Sequence, residues 1–107
     1  MLMTTTALVD GRRVDRYLGI VAADVVMGTN IFSDFFASVR DVVGGRAASY
    51  EKILGEAKEA ALAELAAKAQ KLGADAVIGV DVDYEIIGGD KKTMLVVGAS
   101  GTAVKLG

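Results

Sequence analysis

Asp81, Asp83 and Glu85 alternate with Val82 and Tyr84 in the run Val80-Asp81-Val82-Asp83-Tyr84-Glu85-Ile86. In an extended chain, successive side chains point to opposite faces. The three carboxylates therefore line one face, and Ile78, Val80, Val82, Tyr84 and Ile86 the other. Carboxylates arranged in this way can hold a hard cation, pair with basic groups of a neighbour, or face water. Alternate strand side chains start roughly 6.6 Å apart, whereas oxygens around one Ca²⁺ or Mg²⁺ must approach to about 2.1–2.5 Å. Two of the three can converge, and the third can hardly join them. A divalent metal ion at Asp81, Asp83 and Glu85 would need further oxygens from another strand or from a second copy of the chain.

A second candidate is Gly44-Gly45-Arg46, just ahead of a long helical pattern. Free N–H groups, the helix dipole and a guanidinium could receive a phosphate or carboxylate there. The competing reading is a tight turn, with Arg46 paired to Asp34 or Asp41. Ser33, Tyr17, Tyr50 and Tyr84 carry hydroxyls, but the chain has no histidine to activate them. Ser33 fits a helix N-cap better. Phe32, Phe35 and Phe36 could stack on a flat ligand, although their helical spacing favours packing against a core or an interface.

Composition narrows the chemistry further. The absence of both cysteine and histidine removes thiol nucleophiles, thiolate ligands, the commonest transition-metal ligand and the usual general base near neutral pH. Soft metals are left with four methionine sulfurs, which are not spaced as a ligand set. A net charge of −2 with basic residues only in pairs, Arg12-Arg13 and Lys91-Lys92, gives no electrostatic footprint for nucleic acid. Mean hydropathy is positive at +0.41. Yet no apolar run approaches the about 20 residues of a membrane span, and no secretory signal is visible, so a cytoplasmic location is expected.

The elements that must position these residues are legible in outline. Residues 12 to 27 are rich in Val, Ile, Tyr and Leu and read as a long strand. Phe35, Phe36, Val39, Val42 and Val43 recur at helical spacing behind Ser33, giving a short helix that stops at Gly44-Gly45. From about Ala48 to Leu72, the apolar stripe Tyr50, Ile53, Leu54, Ala57, Ala61, Leu65, Ala69 and Leu72 predicts a long amphipathic helix closed by Gly73. The acidic strand follows, then a hairpin loop Gly88-Gly89-Asp90-Lys91-Lys92 and a returning antiparallel strand from Thr93 to Val104. A short strand near Thr4-Thr5-Thr6 is an additional possibility. The expected fold is one α+β domain over residues 1 to 107, in the order β-α-α-β-β, its sheet packed on one long and one short helix. Two helices cover only one sheet face, while residues 17–27 and 94–104 are apolar or small on both. A second copy of the chain is therefore expected to cover the other face.

The phrases Gly28-Thr29-Asn30-Ile31-Phe32-Ser33-Asp34-Phe35-Phe36, Arg40-Asp41-Val42-Val43-Gly44-Gly45-Arg46 and Tyr50-Glu51, with Leu72-Gly73-Ala74-Asp75-Ala76-Val77 and Gly101-Thr102-Ala103-Val104, resemble the signature of the YbjQ-like family of small bacterial proteins. The resemblance covers nearly the whole chain, with the motifs in order. It implies a dodecin-subunit-like α+β fold, assembly into a ring-shaped homopentamer and a heavy-metal-binding label without an established activity. The expectation is a non-enzymatic homo-oligomer that holds a metal ion or a small ligand or serves as a scaffold, with itself as partner and neither nucleic acid nor membrane. The alternative is a carboxylate-only, metal-assisted hydrolase with sites at subunit interfaces.

Overall fold

The computed structural model of the chain describes residues 1–27, 45–89 and 92–107, apart from the side chains of residues 45–50, 89, 92 and 93. It is a mixed α+β fold in which strands β1 (Leu2–Met3), β2 (Val14–Met27), β3 (Ala76–Gly89) and β4 (Lys92–Leu106) form one sheet and helix α1 (Gly45–Lys71) packs on it. The order across the sheet is β1-β3-β4-β2. β4 is antiparallel to both of its neighbours, while β1 pairs parallel to β3 through Leu2 opposite Ala76 and Met3 opposite Val77. The short helix expected over residues 33–43, with Ser33 and the three phenylalanines, lies outside the described residues, as do Asp90 and Lys91 of the hairpin loop.

The long helix forms for the reasons its sequence offers. Ala57, Ala61, Leu65 and Ala69, spaced four apart, are its buried stripe, and Leu65 meets Val21, Ala23, Val77, Val97 and Ala99 in one core. Small residues on this stripe let the helix lie close to the sheet, and full burial of Leu65 contributes roughly 1.5–3 kcal/mol. Glu64 and Lys68 pair at 3.8 Å, a surface contact worth little alone. Lys68 also donates to the Ala22 carbonyl at 2.7 Å, tying the helix to β2.

The C-terminus of α1 closes in a Schellman arrangement. Gly73, at φ 82°, donates to the Gln70 carbonyl at 2.9 Å, and Ala74 donates to that of Ala69 at 3.1 Å. This satisfies two orphan carbonyls and requires the left-handed conformation that glycine adopts without strain. The start of the helix departs from expectation. Gly45 is its first residue, so it belongs to the helix rather than to the turn before it. Helix propensity penalises glycine, and the hydrogen-bond ladder overrides that penalty here.

Three further expectations are corrected. The N-terminal strand is Leu2–Met3, and the threonines that follow it wrap the start of β3: Thr4 donates to the Val77 carbonyl, while Val80 and Gly79 donate to the Thr4 and Thr6 carbonyls. Strict alternation along β3 fails. Gly79, at φ 60°, sits in an irregularity between Ile78 and Asp81, and an extra residue in one strand switches which face the next side chain meets. Val77, Val80 and Val82 consequently belong to the helix-side core, and Ile78 belongs to a second cluster with Ala76 and Val104. The opposite face is also not bare throughout. Val9, Val14 and Leu106 pack on that second cluster, so the N-terminal segment covers one end of the face expected to await another copy.

Candidate functional site

The rest of that opposite face carries the acidic residues. Register across the sheet sets three adjacent rows: Ala22–Ser100–Asp81, Asp24–Gly98–Asp83 and Val26–Val96–Glu85, each read from β2 through β4 to β3. Asp24 and Asp83 thus stand in one row on either side of Gly98, about 10 Å apart at their backbones. No side chain stands between them. A Cβ built at Gly98 would come within 2.9 Å of the Asp24 carboxylate, so the acid leans over the glycine. The result is an open depression of about 230 Å³ bordered by Ala22, Asp24, Asp83, Glu85, Val96 and Ser100.

Asp81, Asp83 and Glu85 all lie exposed on this face, as their alternation predicted. Their grouping is uneven. The Asp83 carboxyl is held above its ordinary value, first by hydrogen bonding with the Asp81 carboxyl, then by the Asp81 charge and by partial loss of water. Asp83 therefore holds its proton to a higher pH than an isolated carboxyl does. Among the described residues, no group of three or more carboxylates gathers as a metal site would require. Asp81 and Glu85 each stand one row away from Asp83, on either side of it.

Asp24 was not anticipated as a member of this site. The signal was present, because Asp24 is the only charged residue between Tyr17 and Met27, and a lone carboxylate in an otherwise apolar strand marks a break in burial. Locating it opposite Asp83 required the pairing of both strands with β4. Strand parity alone cannot supply that.

The other candidates fare differently. Gly45 and Arg46 open α1, but Gly44 and the Arg46 side chain are outside the described residues. Tyr17 is exposed on β2, and Tyr84 is exposed on β3 at the border of the depression. Asp75, not singled out from the sequence, is the most engaged carboxylate described. It accepts the Leu106 N–H at 2.9 Å and pairs with Lys105 at 3.6 Å. The Leu106 bond leads, with Lys105 and Arg12 adding positive potential, and its carboxyl is held below the ordinary range. These contacts fasten the end of β4 to the exit of α1, which is a structural task.

Among the described residues, the open face offers carboxylates, the Ser100 and Thr102 hydroxyls and backbone, with no nucleophile–base pair. A carboxylate-only hydrolase gains no support from it, because metal-assisted hydrolysis needs an ion fixed by several ligands.

Two comparisons bear on this arrangement. The chain matches, over residues 1–107, the family model described as "Putative heavy-metal-binding". Its fold is similar to the crystal structure of a protein of unknown function from Pediococcus pentosaceus ATCC 25745, assigned to the DUF74 family. That similarity has a TM-score of 0.72 at 19% identity, covering 100% of this chain and 98% of the other.

Proposed function

We propose, from the premise that the chain belongs to the YbjQ-like family whose model it matches from end to end, that it works as a non-enzymatic homo-oligomer built through its open sheet face and free strand edges. The carrying observation is Ile20, which is 83% exposed in the middle of β2, with Val26 at 57% on the same face. Exposed apolar side chains on a sheet are stabilised by a second surface, and a copy of the same chain is always available to provide it. The edges support the same reading. Among the described residues, β2 has a partner only on its β4 side, as does β3 from Asp81 to Gly89. Unpaired edges are templates for further strand pairing. Five copies in a ring is the number that the family resemblance implies.

In such an assembly the acidic rows lie near a subunit boundary. A hard divalent ion or a small cationic ligand held by Asp81 and Asp83 would take its remaining ligands from the neighbour. Arg46 with Gly44 and Gly45 remains the proposed anion-binding position.

Native mass spectrometry of the untagged protein, combined with elemental analysis, tests this reading. The expected result is a closed ring of five copies. A stable monomer in light scattering at micromolar concentration overturns it.

A further inference from the structure

We infer that the heavy-metal label of the family does not extend to this chain as a soft-metal centre. Mercury, cadmium and copper(I) select thiolate, thioether or imidazole ligands. With neither cysteine nor histidine in the chain, the thioethers of Met1, Met3, Met27 and Met94 are the remaining soft donors.

The fold keeps those sulfurs apart. Met3 lies on β1, and Met27 is the last residue of β2, at the two opposite edges of the sheet. Register carries the level of Met3 through Val77 and Ala103 to Gly19, so Met27 lies eight residues further along β2. Three strand spacings sideways and eight residues lengthwise separate the two backbones by roughly 30 Å. Both side chains are also committed to packing against the helix-side core. Met94 is close to Met27 along the sheet, because Met27 pairs with Leu95. Leu95 belongs to the helix-side core, however, so alternation turns Met94 to the opposite face. Met1 is exposed next to β1, far from both Met27 and Met94. Soft-metal coordination with sulfur at about 2.3 Å needs several such donors around one point, and no such point exists within the chain. The acidic face offers hard oxygen donors, which these ions disfavour.

The geometry above is that of one chain, and the test uses the untagged protein in whatever assembly it forms, so that sulfurs from any neighbouring copies are included. The protein is dialysed to equilibrium separately against Hg²⁺, Cd²⁺ and Cu⁺, the last with reductant and without oxygen, and bound metal is measured by elemental analysis. The expected result is less than about one ion per ten chains for each metal, with no shift in melting temperature, since an ion held only by the folded state would raise it. Retention of one ion per chain, or one per assembled ring, overturns the inference.

Discussion

Two carboxyls of this chain are displaced from their ordinary values in opposite directions, and each gives a stability prediction. Asp75 is held below its ordinary value chiefly by the Leu106 N–H, helped by Lys105 and Arg12. Its folded pKa is depressed, so its contribution is present above the unfolded value, about 3.9, and is lost as pH falls through the lower folded value. Asp75→Asn should lower the melting temperature by a few degrees at neutral pH, and this deficit should vanish in strong acid; calorimetry across the acid range measures it. A deficit of the same size at every pH would mean that Asp75 acts through shape alone. Asp83 has the reverse sign. Its folded value is raised by Asp81, so its stabilising contribution exists below the unfolded value and is lost as pH rises through the raised one. Asp83→Asn should therefore raise the melting temperature at neutral pH, with the gain shrinking towards zero as pH falls below about 4. A melting-temperature series for both chains decides it, and no gain at neutral pH would count against Asp81 raising the Asp83 carboxyl.

At the scale of elements, two glycines of β4 that look equivalent in the sequence have opposite surroundings. Gly101 faces the helix side, where an added Cβ would lie 2.6 Å from Val77 Cγ1 and 3.1 Å from the Ile78 carbonyl oxygen. Neither neighbour has room to withdraw, so Gly101→Ala should cost about 1–3 kcal/mol, as overpacking does. Gly98 meets only the free end of the Asp24 side chain, which can swing away, so Gly98→Ala should change stability by less than about 0.5 kcal/mol. Denaturant unfolding of the two variants measures the contrast, and equal losses would refute the assigned faces. The same contrast marks what was legible beforehand. The alanine and leucine stripe of α1, the Gly73 stop and the acidic ladder are periodic features within single segments, and all three could be read from the sequence. The switch at Gly79 could not, because nothing local distinguishes a glycine that continues a strand from one at φ 60°. Nor could the placing of Asp24 and Asp83 in one row on either side of Gly98, or the cover that Val9 gives to the cluster of Ile78, because each depends on pairing between distant segments.

At the scale of the whole molecule, the sheet has one face built for the helix and one that changes character along its length. Near the exit of α1, the second face is closed by Val9, Val14 and Leu106 over Ile78 and Val104. Val26 stands exposed in the row next to Asp24, Gly98 and Asp83, and Ile20 stands exposed on β2 at the level of Ile78. Isoleucine at position 20 adds little to the fold of one subunit because its side chain touches so little of it. Ile20→Lys should therefore leave the circular dichroism spectrum of the folded chain unchanged while placing a charge where the proposed contact is apolar. If the open face joins subunits, this one substitution should weaken assembly by at least about tenfold in dissociation constant, equivalent to about 1.4 kcal/mol per contact. Sedimentation velocity over a dilution series measures it, with Glu59→Lys, an exposed change on α1 away from the sheet face and its edges, as the charge control. Loss of assembly in Ile20→Lys alone would place the interface on this face. Unchanged assembly in both would move it to the strand edges, where pairing runs through backbone N–H and C=O groups that a side-chain charge does not remove.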